Sequence, residues 1–142
     1  MPDVFTEAKR SAVMAAIRGS GNKDTELRMM ALFRGHGMTG WRRGVKLFGK
    51  PDFVFRRERV AVFVDGCFWH RHPGCRFAYT PKSRLEFWLP KFARNVARDR
   101  LVTRTLRQQG WTVLRVWECG LAAKHWPRVA GRVARALERG GV

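Results

Sequence analysis

The sequence predicts one α/β domain over residues 1–142, a mixed β-sheet flanked by helices. Two stretches carry that prediction. VAVFVD at 60–65 and WTVLRVW at 111–117 are short, nearly all-apolar runs of the kind buried inside a sheet. Between and around them lie longer basic segments whose apolar residues recur at helical spacing, so helices cover the strands.

Taken in order, FTEAKRSAVMAAIRG reads as a first helix, with Thr6 as N-cap, Gly19 past its end and an apolar ridge at Val13, Met14 and Ile17. SGNK breaks the chain. Asp24 or Thr25 then caps a second helix through ELRMMALFRGHG, with Leu27, Met30, Ala31 and Phe33 inward. GWRRGVKLFGK looks like an irregular strand ending in a glycine turn. PDFVF, residues 51–55, is a short strand, and RRER is a tight polar turn into 60–65. From Lys82 to Gln109 a long helical stretch is broken or kinked at Pro90, with Val96, Leu101, Val102 and Leu106 inward. Gly110 ends it before the 111–117 strand. The tail over 125–142, WPRVAGRVARALER at its centre, is an amphipathic basic helix. The predicted order is α-α-β-β-β-α-β-α.

Composition narrows the function. Twenty-nine Lys and Arg against eleven Asp and Glu give a formal charge of +18, and the apolar share of 45% is that of a folded chain. Such a balance calls for a polyanionic partner, and nucleic acid is the default, because neutralising phosphates releases counterions. No apolar run approaches the ~20 residues of a membrane span. MPDVFTEAKR lacks the apolar core of a signal peptide, and three cysteines make an odd number, unsuited to a disulfide framework. The expectation is a cytoplasmic, DNA-associated protein with no membrane partner.

The stretch AVFVDGCFWHRHPGC, residues 61–75, packs metal-type ligands and large rings into one loop. Cys67, His72 and Cys75 have the spacing C-x4-H-x2-C, and Cys119 follows the last strand. Four N/S donors suit tetrahedral, structural Zn²⁺, provided strands 60–65 and 111–117 are neighbours; otherwise these are separate buried thiols. Asp52, at the start of a strand in a cationic protein, can hold Mg²⁺ against a phosphate oxygen. Pro51-Asp52 also opens the PD-(D/E)xK nuclease pattern, whose second half is missing: Asp65 has no following lysine. Phe68 and Trp69 flank the ligands and are hard to bury together. They either stack against bases or cover the metal site, and Trp88 in EFW is a third such ring. His70 by itself reads as a solvated loop histidine.

GKPDFVF, VFVDGCFWH with the following His and Cys, EFWLPKFARNVARDR and GWTVLRVWEC together resemble the very-short-patch repair (Vsr) endonucleases, and KDTE near residue 24 fits that family's N-terminal part. The resemblance covers about residues 11–122. It implies a restriction-endonuclease-like fold and a Mg²⁺-dependent nick immediately 5′ of the thymine in a T:G mismatch left by deamination of 5-methylcytosine. It further implies that Asp52 is the direct Mg²⁺ ligand, with the backbone carbonyl of Val64. His70 is implied as general base, Glu26 and Asp99 as outer carboxylates, and Cys67, His72, Cys75 and Cys119 as the zinc set. Phe68, Trp69 and Trp88 are implied as a wedge beside the mismatch. The N-terminal helix of residues 1–22, with Met14, Ile17 and Arg18, and Lys23 just after it, is implied to clamp the opposite groove.

Asp65 departs from the pattern, since the best-studied members carry a histidine there, near the metals. The spacing HRHPGC is also longer than in the family. The implied partners are duplex DNA and mismatch-repair proteins, with the chain a monomer. A related sequence- or modification-specific nuclease of restriction or phage defence is the alternative. A zinc-stabilised DNA-binding module without catalysis fits less well, since it need not keep Asp52, His70, Glu26 and Asp99 together.

Overall fold

The computed structural model describes residues 23–140. The predicted first helix, with Met14, Ile17 and Arg18, lies outside the described residues, as does the side chain of Lys23. Helix α1 spans Lys23–Gly35 and carries Asp24 and Glu26 in its first turn, where carboxylates complement the helix dipole. Its end is a Schellman turn. Gly37 takes a left-handed φ of 67°, the Met38 N–H donates to the Phe33 carbonyl at 2.8 Å, and the Gly37 N–H donates to the Arg34 carbonyl at 3.3 Å. The buried side of α1 is Met29, Met30, Leu32 and Phe33, whereas Leu27 and Ala31 face solvent, so the inward face is rotated from the one expected.

Strand β1 is only Trp41–Arg42, β2 is Phe53–Phe55, β3 is Val60–Asp65 and β4 is Thr112–Trp117. The segment expected to continue β1 bends away instead, with Gly44 at φ 63° and Gly49 at φ 79°. Pro51 has no N–H to give to a ladder, and β2 begins two residues after it. The sheet order is β1-β2-β3-β4, antiparallel except for the parallel β3–β4 pair. That pair is joined by helix α2, Leu85–Gln108, which is a single element with Pro90 inside it. Pro90 lies in the second turn, so its missing N–H leaves only the Glu86 carbonyl near the helix start without its donor, and the helix continues. Two short 3₁₀ turns, Glu118–Leu121 and Ala123–His125, lead into α3, Trp126–Gly140.

Side-chain alternation sorts the sheet into two faces. Val60, Val62 and Val64 of β3 join Phe53, Phe55 and Val116 under α1 and α3, with Phe33 and Val133 fully buried there. Ala61 and Phe63 join Val113 under Val102 and Leu106 of α2. Of the other residues expected inward on α2, Val96 is half-buried and Leu101 is exposed. The helices therefore sandwich the sheet. The same alternation sends Asp65 and Arg115 to the α2 face.

Candidate active site and metal centre

Asp65 ends β3 and is 3% exposed. A carboxylate so placed needs a partner, and the parallel register supplies one from β4. Arg115 donates from one guanidinium nitrogen to both Asp65 oxygens at 3.0 and 3.1 Å, from Nε to Thr103 Oγ1 at 2.9 Å, and from its other terminal nitrogen to the Asp99 backbone carbonyl at 3.1 Å. It also lies 4.2 Å from the Phe63 ring centroid. One side chain thus ties β3, β4 and α2 together.

His70 stands beside this pair. Its Nδ1 is 2.5 Å from Asp99 Oδ2 and 3.8 Å from Asp65 Oδ1. With Nδ1–H given to a carboxylate, the neutral ring carries its lone pair on Nε2, the arrangement of a histidine that accepts a proton. Burial pulls the His70 pKa down, but the Asp99 hydrogen bond and the charges of Asp65 and Asp99 outweigh it, and the net direction is up. Burial raises the Asp65 carboxyl, against the lowering charges of His70 and Arg115. Asp65, His70 and Asp99 offer ligand atoms all within 4.8 Å of one another. They open onto a cleft of about 610 Å³, lined also by Arg100, Arg104, Arg107 and Trp117.

Asp52 is buried just before β2, and its Oδ2 accepts the Val64 N–H at 2.7 Å. It is anchored to the strand that ends in Asp65 but is not a member of the Asp65–His70–Asp99 group. Glu26 pairs with Arg43 and likewise stands outside that group.

The second cluster is Cys67, His72, Cys75 and Cys119, again with all ligand atoms within 4.8 Å. Asp65 pairs with Trp117 across the parallel strands, so Cys67 and Cys119, each two residues further on, emerge at one level. His72 Nδ1 is 3.7 Å from Cys67 Sγ and 3.5 Å from Cys119 Sγ, and its ring stacks on Trp117 at 4.2 Å. Burial first, then Cys119 and Cys75, push the Cys67 thiol up to about 12. Burial also raises Cys119. At Cys75 burial is the largest single effect and raises the thiol, but hydrogen bonds from the Phe77 amide, Cys67, Cys119 and the Ala78 amide together outweigh it, and the pKa is lowered. Thiols crowded this way ionise together only when a cation joins them, so these four residues could hold a metal ion.

The rings correct one expectation. Phe68, Trp69 and Trp88 are all buried, with Phe92, in one cluster of edge-on, tilted and stacked contacts at 5.2–5.7 Å between centroids. They are accommodated because the first turns of α2 cover the metal loop. The Trp69 indole N–H is buried there without a hydrogen-bond acceptor. Arg71, between the two loop histidines, closes the loop. It donates to the carbonyls of Phe68, Ala78 and Tyr79 at 3.2, 2.8 and 3.0 Å and lies 3.9 Å from the Phe92 ring centroid.

Arg71 and Arg115 were not singled out from the sequence. For Arg115 a signal existed, a lone charge within TVLRVW, which requires a partner across the sheet. For Arg71 there was none.

A family model described as DNA mismatch endonuclease Vsr matches residues 2–76. The chain is 42% identical over 126 residues to DNA mismatch endonuclease Vsr of Escherichia coli (strain K12), covering 87% of this chain and 78% of that one. It is 39% identical over 122 residues to type II nicking enzyme V.XorIIP of Xanthomonas oryzae pv. oryzae (strain KACC10331 / KXO85), covering 86% and 88%. To type II nicking enzyme V.NaeI of Lentzea aerocolonigenes it is 44% identical over 121 residues, covering 78% and 68%.

Proposed function

Since the chain belongs to the Vsr family of DNA mismatch endonucleases and is a DNA-cleaving hydrolase, we propose that it nicks one strand of duplex DNA immediately 5′ of the thymine in a T:G mismatch, starting very short patch repair. The observation that carries this is the His70–Asp99 pair opening onto an arginine-lined cleft. Asp99 orients the His70 ring, Nε2 takes a proton from the attacking water, and Arg115 holds Asp65 and the Asp99 backbone in register. Asp52 with the Val64 carbonyl would hold Mg²⁺, a hard ion suited to oxygen donors, and Asp99 would stand as an outer carboxylate. When bound it would supply positive charge to the scissile phosphate and its leaving oxygen. Glu26 enters as an outer carboxylate, freed from Arg43 when phosphates compete for that guanidinium.

Zn²⁺ fits the Cys₃His group. Tetrahedral coordination with Zn–S of about 2.3 Å and Zn–N of about 2.0 Å puts sulfur and nitrogen about 3.5 Å apart. The sulfur–nitrogen separations here are 3.7 and 3.5 Å. With four protein donors such a site is structural, and it would brace the loop that carries His70 and the ring cluster. The β1–β4 arrangement supports a restriction-endonuclease-like sheet within a single domain. Phe68, Trp69 and Trp88 act as the mismatch wedge by parting from their cluster. The unpaired Trp69 N–H favours that step, since it gains an acceptor on leaving.

The names of the type II nicking relatives favour one second reading, a sequence- or modification-specific nuclease of restriction or phage defence. The test is a nicking assay on duplexes labelled on each strand in turn, with T:G, other mismatches and fully paired DNA. A single nick beside the mispaired thymine, lost in Asp52→Ala, is expected. Cleavage of paired DNA, or of both strands, would replace the repair reading with the defence reading.

A further inference from the structure

The cleft beside His70 continues along α2, and the residues of that wall are spaced as one helical stripe: Val96, Arg100, Thr103, Arg104 and Arg107. Arg100, Arg104 and Arg107 are exposed, and their side chains make no ion pair or hydrogen bond among the described residues. The carboxylates nearest them are engaged elsewhere, Asp65 by Arg115 and Asp99 by His70. Like charges three and four residues apart each cost an isolated helix about 0.2–0.5 kcal/mol, so the stripe carries a small penalty that a bound polyanion would remove.

We infer that Arg100, Arg104 and Arg107 form a track for successive phosphates of the DNA strand being cut, leading away from His70. The inference rests on the nuclease reading above and adds the path of the substrate strand. At 1.5 Å per residue the three arginines span about 10 Å of helix axis, close to the axial rise of three phosphate-to-phosphate steps at about 3.4 Å each on one strand. The cleft is also charge-graded. Its carboxylate end suits a metal-assisted phosphate, and its arginine end suits phosphates with no metal beside them.

The test is affinity for a T:G duplex across a salt series without Mg²⁺, for the wild type, a triple variant Arg100→Gln, Arg104→Gln and Arg107→Gln, and a control triple Arg128→Gln, Arg135→Gln and Arg139→Gln. The control arginines are exposed on α3, across the sheet. Losing three phosphate contacts lowers the slope of log affinity against log salt by about 2.7. Over a fourfold rise in salt the track variant then loses about 40-fold less affinity than the wild type. Neutral methylphosphonates at the phosphates flanking the nick should weaken wild-type binding and leave the track variant unchanged. A wild-type slope in the track variant, or equal losses in both triples, would overturn the track. Absence of nicking by a wild type that still binds with a track-dependent slope would instead sink the nuclease reading and leave the track standing.

Discussion

Arg115→Met tests the electrostatic design of the site most directly. The substitution keeps a stem of similar shape and removes every partner that the guanidinium gives Asp65, Asp99 and Thr103. Asp65, 3% exposed, then keeps only His70, 3.8 Å away and without a hydrogen bond to it, and losing one member of a buried pair costs roughly 3–5 kcal/mol. Protonation caps that cost. Holding a carboxyl of ordinary pKa near 3.9 neutral costs about 4.2 kcal/mol at pH 7 and about 1.5 kcal/mol at pH 5. The sign follows from the direction of the shift. Burial already raises the Asp65 pKa, and loss of Arg115 raises it further, so the penalty is absent below the unfolded value and grows as pH rises toward the folded one. Urea unfolding of the variant at pH 7 should show a loss of about 3–4 kcal/mol, shrinking below about 2 kcal/mol at pH 5, with Asp65→Asn in the same background recovering part of it. A loss under about 1 kcal/mol at pH 7, or one equal at both pH values, would refute the view that Asp65 is held ionised by Arg115.

Other consequences can be read in separate assays. His70→Ala should lower single-turnover nicking by about 10²–10⁴-fold with duplex affinity retained, and an unchanged rate would remove His70 as the base. Removal of Zn²⁺ from the proposed Cys67–His72–Cys75–Cys119 site, verified by metal analysis, should abolish nicking even with Mg²⁺ supplied and raise amide exchange across residues 66–80; retained activity would uncouple that site from the loop. Gly49→Ala should destabilise by about 2–4 kcal/mol in urea, because a Cβ there meets Val102 Cγ1 at 2.2 Å and φ is +79°, and Val102→Ala in that background should cost less than alone.

Much of the fold was legible because its strands are short and apolar. VAVFVD is β3 residue for residue, and TVLRVW is β4. α1 and α3 also lie where their periodicity and glycine signals put them. Pro90 does not break α2 because it sits near the start of the helix, where one missing donor is cheaply absorbed. Phe68 and Trp69 look hard to bury together because they are adjacent in sequence, yet they join Trp88 and Phe92 of α2 in one buried cluster.

The sequence by itself determined the residue types and the spacing of the candidate metal ligands, since C-x4-H-x2-C followed by WEC can be read off the chain. It also determined the cationic character, because net charge is a sum that needs no coordinates. Only the tertiary structure decided which acids meet. The parallel β3–β4 register brings Asp65 to Arg115 across fifty residues, and α2 lays Asp99 against His70 across twenty-nine. Those pairings depend on which face a side chain takes and which element packs over it. Alternation can be counted along one strand, but the covering helix is chosen by packing of the whole chain.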